Sequence, residues 1–348
     1  MRRIAFLLII TALLVSCSRN EKSDFEKHFF DKTLRINLIH TGDANSESFK
    51  LDKLYDDGLW YGRTKTLINP YRLGTYYYEL RDVTTDELLY SDGISTVFGE
   101  WRMTDEATMK KKSFNESIRI PYPSKSAKLT MYKIDTLNVT IPVWEYIIDR
   151  QTRLLLEPTP NHNNRIVRLL DSGNPKEKVD ILILGDGYSL DDISQFDKDA
   201  SRFYNIFINS EPFKSRKNDF NVHAVQAISQ DGARNLKTSD NIFGHDRYSL
   251  TFDEWAFREF ATQSPYDYAV ILINTDKNIG GSLYNLYTTT AIRSQSTDYL
   301  INHALCHQIV GSADRFYSDY DPSDSTDLSR FYYDLDEILQ NILDLQTK

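Results

Sequence analysis

Alternation of apolar and polar residues dominates the first half of the chain. Leu34, Ile36 and Leu38 alternate with Arg35 and Asn37, the period-two pattern of a strand with one buried face. Residues 74–80 and 118–120 repeat it, and so does the stretch holding Leu129, Met131 and Tyr132 to Ile134. Asp57-Gly58, Asn69-Pro70, Asp92-Gly93 and Pro121-Tyr122-Pro123 supply turn chemistry between the runs. Short strands at such spacing predict an all-β, sandwich-like domain over residues 31–150. No cluster of titratable residues in it resembles a catalytic centre, so its expected work is binding or positioning.

Residues 151–178 break the pattern. Pro158, Pro160, Asn161, Asn163, Asn164, Gly173 and Pro175 predict a linker without regular elements. From residue 179 onward the pattern is that of an α/β domain, expected to run to residue 348. Residues 179–184 are a nearly continuous apolar run, as in a strand covered on both faces. Gly185-Asp186-Gly187 follows it. The third glycine of a dinucleotide fingerprint is missing, so a tight turn into a helix is the better account. Ser189 caps that helix, with Asp191 and Asp192 in its first turn. Ile193, Phe196, Ala200, Phe203, Tyr204 and Phe207 form its apolar face. Residues 220–228 and 268–274 predict two more strands, and 252–261 a helix. Gly280-Gly281 predicts a turn. Residues 286–292, with Thr288 to Thr290, predict an edge strand. A helix starting near Ser296 carries His303 and His307. Leu335, Ile338, Leu339, Ile342 and Leu345 are spaced for a closing helix. Strands alternating with helices predict a three-layer α/β arrangement.

The chain's start adds a targeting expectation. Arg2 and Arg3 precede an apolar run over 4–15, too short for a comfortable membrane span. Leu14-Val15-Ser16-Cys17 resembles a bacterial lipobox, which predicts a signal peptide over 1–16, lipid on Cys17 and a polar tether over 17–30. An ordinary secretory signal is the alternative. A lipid-anchored protein of the cell envelope is therefore expected, with the outer membrane as its place and surface display left open. The other cysteine, Cys306, leaves no intrachain disulfide once Cys17 is acylated. A formal net charge of −9 excludes an electrostatic footprint for nucleic acid. The 22 Tyr and 18 Phe suit an exported β-rich protein or a stacking surface for peptide or sugar.

The candidate chemistry lies in residues 302–317. His303 and His307 are four apart, which on a helix puts both imidazoles on one face, about one turn apart. Two histidines so placed grip one zinc ion. Gly311 can end the helix, and the following turn can bring Asp314 round as a third ligand. The residue after the first histidine, normally a glutamate that activates water, is Ala304. Cys306 reads as a small hydrophobe, and His223 and His245 as structural or surface residues.

With residues 179–189, the 220–229 strand and the Gly280-Gly281 turn, this block resembles the IgA-peptidase family of zinc metallopeptidases. The matching motif residues are His303, His307, Gly311, Ala313, Asp314 and Tyr317. Residues 90–101, with Phe98-Gly99-Glu100-Trp101, and 114–123 resemble the N-terminal β domain of that family. The resemblance implies a metallopeptidase-like α/β domain with zinc on His303, His307 and Asp314 and an open fourth position. The departures are Ala304 at the general-base position, Cys306 where glycine is usual, Val310, and Arg315 after Asp314. The peptidases usually continue further past the motif. The expected function is a zinc-retaining relative with lost or weak hydrolysis that binds an extracellular protein, peptide or glycan. The alternatives are an active zinc endopeptidase with a substitute base and a purely structural surface lipoprotein.

Overall fold

The computed structural model describes residues 22–134, 139–149, 155–157, 164–227, 232–293, 301, 304, 305 and 307–309. The lipobox at Cys17, the closing helix, His303, Cys306 and Asp314 lie outside the described residues. Among the described residues no helix is long and apolar enough to cross a membrane.

Helix α1 (Asp24–His28) falls inside the stretch expected to be a tether. Ser23 caps it: its hydroxyl accepts from the Glu26 N–H, and the Glu26 carboxylate accepts from the Ser23 N–H. Its buried Phe25 packs on Phe29.

The β domain holds β1 (Phe29–Gly42), β2 (Glu47–Asp56), β3 (Tyr76–Asp82), β4 (Leu88–Ile94), β5 (Lys112–Pro123), β6 (Ala127–Ile134), β7 (Thr140–Ile148) and β8 (Leu155–Leu156). Two short helices, α2 (Val97–Trp101) and α3 (Asp105–Met109), precede β5. The strands form two four-stranded sheets, β5-β1-β2-β8 and β4-β3-β6-β7. The alternation explains how they meet. Leu34, Ile36 and Leu38 of one sheet share a core with Tyr76, Tyr78, Leu80, Leu129 and Met131 of the other. The expected N-terminal β domain is present.

The second half contains β9 (Ile166–Leu170), β10 (Val179–Asp186), α4 (Ile193–Asn209), β11 (Phe220–Gln226), β12 (Thr238–Asp240), β13 (Ser249–Thr251), α5 (Glu254–Ala261), β14 (Tyr268–Ile273), β15 (Gly280–Leu283) and β16 (Tyr287–Thr290). Six strands make one sheet in the order β15-β16-β14-β10-β11-β9. β11, β10, β14 and β16 are parallel, and β15 and β9 flank them antiparallel. Every residue of β10 is buried, as expected of its nearly continuous apolar run, and Asp180 and Asp186 are buried with it. Ile181, Ile183, Val222 and Val270 pack against Phe196, Ala200, Phe203 and Phe207 of α4. Leu182, Leu184, Val225, Ala269 and Ile271 face the other way, toward Phe257 and Ala261 of α5, in a core continuous with that of the β domain. The described residues are mostly β, in several sheets, with helices added.

Three expectations are corrected. The threonine strand β16 is interior, and Gly280-Gly281 are not a turn but the start of β15, the real edge beside it. The threonines sit buried because each of two hydroxyls finds a distant partner: Thr289 donates to the Ser249 carbonyl, and Thr288 to Gln308 Oε1. The stretch 151–178, expected to lack regular elements, contributes β8 and β9. Ile166–Leu170 pairs with β11 at the far edge of the sheet.

Candidate functional site

The candidate metal helix is fixed by its buried face. Residues 301, 304, 305 and 307–309 are helical. Ile301, Leu305 and Ile309 join the core on the α4 side of the sheet. Gln308 is buried between them. Its Nε2 donates to the Ala269 carbonyl of β14 at 3.0 Å, and its Oε1 accepts from Thr288 of β16 at 3.1 Å. The Ala304 carbonyl accepts from Ser282 at 2.9 Å and from Thr288 at 3.2 Å. The Asn285 N–H donates to the Gln308 carbonyl. These bonds tie the helix to three strands of the sheet.

Positions 301, 305 and 308 recur at i, i+4 and i+7, so they share one face. His307 is half-buried and lies about 100° per residue away from Gln308, turned from the packed face. Ala304 stands at the flank of the packed face, 9% exposed. Its side chain is a methyl group and accepts no proton. Among the described residues no three histidine, cysteine, aspartate or glutamate side chains form a group fit for a metal. Of the three expected ligands, then, the structure describes His307 alone.

The other singled-out residues have structural explanations. His223 is buried in β11 with Nδ1 2.9 Å from Ser264 Oγ; burial, then the charge of Arg168, pushes its pKa down. His245 is exposed. The glycine turn after β10 is filled by the protein itself. Gly187 adopts φ +80°, and Asn274 donates to its carbonyl at 2.8 Å. The buried Asp186 carboxylate, pushed up by burial, accepts from the Leu236 N–H and from Thr238. Arg293 spans the same end of the sheet, reaching Asn274, Asp276 and Asp199. The strand end at the β10–β14 reversal, where such sheets take ligands, is therefore occupied by side chains.

The β domain holds one titratable cluster that the local patterns did not point to. His40 of β1 is fully buried between the rings of Phe49 and Phe98, each 3.8 Å away. Its Nδ1 lies 2.7 Å from Glu116 and its Nε2 3.2 Å from Glu47. Tyr76 donates to Glu47 at 2.6 Å, Arg102 pairs with it at 2.8 Å, and Lys133 stands 3.5 Å off. With both ring nitrogens on carboxylates the ring is an imidazolium. No solvent reaches it, so its work is cohesion between the sheets and not catalysis.

The family comparison settles what this scaffold is. The model of the Peptidase M64 N-terminus matches residues 24–145, and that of the IgA Peptidase M64 matches residues 167–328. The chain belongs to the IgA peptidase M64 family. Both halves of this M64 chain are covered, and peptidases of the family are in general zinc metallopeptidases. No curated protein matches it. A solved structure titled as a thermostable esterase is similar over 69% of this chain, at 8% identity and a TM-score of 0.19. The chain spans 64% of that structure's length, and at such a score the likeness carries no argument.

Proposed function

We propose that this M64 chain keeps the family's metal grip, has lost efficient peptide hydrolysis, and acts as a lipid-anchored protein that binds an extracellular protein, peptide or glycan. Ala304 carries the reading. A family peptidase needs a proton acceptor at that position, and loss of a general base costs about 10²–10⁴ in rate. The helix bearing Ala304 is held by Ser282, Thr288 and Gln308, so the scaffold is intact where the base is missing. The α/β half is read as the three-layer arrangement of a metallopeptidase.

His303, His307 and Asp314 fit zinc by donor type, two imidazoles and a carboxylate. The position of His307, turned from the packed face and half-exposed, suits a ligand better than a core residue. Bound there, zinc would supply Lewis acidity and a lowered pKa for water. Ser282, Thr288 and Gln308 orient the helix by its backbone and its buried amide. Lipid on Cys17 and the following polar residues would hold the protein at the cell envelope.

A second reading, an active zinc endopeptidase with a substitute base, draws support from that same intact packing of the helix. Peptide-library hydrolysis by the unmodified protein and by Ala304→Glu separates the two. The first reading expects negligible turnover that Ala304→Glu raises. Robust, chelator-sensitive turnover by the unmodified protein would overturn it.

A further inference from the structure

The connection between β12 and β13, residues 241–248, concentrates backbone strain. Asn241, Phe243, Gly244 and Arg247 all take positive φ, from +54° to +76°. Glycine and asparagine tolerate that region, whereas phenylalanine and arginine enter it only where their surroundings hold them. Phe243 packs on Tyr248 and Phe252, with ring centroids 6.2 and 5.8 Å away. The Ile242 N–H donates to the Tyr248 carbonyl and the Arg247 N–H to Asn241 Oδ1, each at 3.1 Å.

This strained connection lies along the outer edge of β15. The Gly280 N–H donates to the Arg247 carbonyl at 2.9 Å, and Tyr248 bridges Gly280 in parallel pairing. Glycine is needed beneath it: a Cβ on Gly281 would come within 2.7 Å of both the Tyr248 ring and the Ser249 carbonyl. β15 is also tied to the candidate metal helix, since Ser282 donates to the Ala304 carbonyl. An edge strand offers its backbone groups to any extended chain. Here the protein supplies that chain itself, as a strap. The strap shows what the edge accepts, an extended backbone with a carbonyl for Gly280 and an aromatic ring against Gly281.

We propose that the β15 edge is a docking site for an extended peptide segment bearing an aromatic residue, and that residues 241–248 occlude it until such a segment displaces them. With the chain read as a binding protein, on which this rests, its ligand narrows to peptide. Strain suits the strap to that work, because a segment held out of its preferred conformation yields more readily to a competitor. The tip, His245 to Arg247, is exposed, so lifting it uncovers little of the core. A peptide seated on β15 would lie beside the helix of Ala304 and His307.

The probe is a fluorescent peptide copying residues 245–251, added to the full chain. Replacing residues 241–248 by Asn-Gly closes the hairpin directly after the Asp240–Ser249 pair and removes the strap. The shortened chain should bind the peptide at least about tenfold more tightly than the unmodified chain, whose edge is occupied. Gly281→Ala in the shortened chain should abolish binding, because its methyl takes the place of the ring. Equal binding by both chains, no binding by the shortened chain, or binding that survives Gly281→Ala would each overturn the proposal. If the shortened chain does not fold, Tyr248→Ala, which empties the ring's place, is read against the unmodified chain by the same outcomes. Zinc content of the same samples tests the metal grip separately, so a failure at the β15 edge and a failure of that grip are told apart.

Discussion

Replacing His40 with leucine should be among the most damaging substitutions in the β domain. The change keeps the side chain's bulk between Phe49 and Phe98 and removes the charge that Glu116 and Glu47 share. Glu47 retains Arg102 and Tyr76, whereas Glu116 keeps only the Phe98 N–H among its contacts in this cluster. Removing one partner of a buried ionic group costs about 3–5 kcal/mol, because the remaining charge is left uncompensated. The assay is chemical unfolding of the full chain, following the fluorescence of the buried Trp101, which lies against Phe98. Glu116→Gln added to His40→Leu should restore part of the loss, since an amide tolerates the apolar neighbour better than a carboxylate. The pH dependence follows from the same geometry. Burial lowers the His40 pKa, but the charge and hydrogen bond of Glu116, with Glu47 behind them, outweigh it and the value is raised. The folded chain thus holds this proton more tightly than the unfolded chain. The stabilisation is complete below about pH 6.5, the ordinary imidazole value, and is lost as pH rises through the raised folded value. On the acid side, burial raises Glu47, but His40, Tyr76 and Arg102 lower it to about 2. Its contribution is present above the ordinary carboxylate range and lost as pH falls through about 2. A cost below about 1 kcal/mol for His40→Leu, the level of an exposed pair, would refute the reasoning, as would a stability profile that His40→Leu leaves unchanged above pH 6.5.

Purified protein without tag histidines should carry near-stoichiometric zinc by elemental analysis, and His303→Ala or Asp314→Ala should remove it; metal-free protein of full stability contradicts the ligand set. Gln308→Leu breaks two buried hydrogen bonds to β14 and β16, and should cost about 1–3 kcal/mol by urea unfolding. The same variant should weaken zinc retention without touching a ligand, and unchanged retention would show that the apolar contacts and the backbone bonds from Ser282, Thr288 and Asn285 hold the helix without the Gln308 amide. Cys17→Ala should move the protein from the membrane fraction to the soluble fraction, and continued anchoring would count against lipidation.

Local patterns in the sequence revealed the elements whose partners did not matter for recognising them. The apolar run at 179–184 and the helical face of Phe196, Phe203 and Phe207 appear as the periods demand, whereas the strand around Leu34 forms but buries Arg35 and Asn37 along with its apolar residues. Elements whose character depends on distant partners were misread. β16 looked like an edge because its threonines are polar, and only the carbonyl of Ser249 and the amide of Gln308 explain their burial. β9 was hidden among proline and asparagine because its pairing with β11 lies more than 50 residues along the chain. The His40 cluster gathers residues 40, 47 and 116 from three paired strands of one sheet, with Tyr76 from the other sheet and Arg102 from the segment after α2, which the sequence separates. The metal motif is the opposite case. Its spacing is local, so His303, Ala304 and His307 could be read as a set, while the hydrogen bonds that hold the helix of Ala304 and His307 to the sheet could not.

The central claim separates a retained grip from a lost base, and the peptidase turnover of Ala304→Glu relative to the unmodified protein tests it most directly. Zinc-loaded unmodified protein should cleave peptides negligibly, and Ala304→Glu should raise cleavage by at least about 10²-fold, the lower range for a restored general base. Efficient cleavage by the unmodified protein, lost on chelation and not improved by Ala304→Glu, would contradict it.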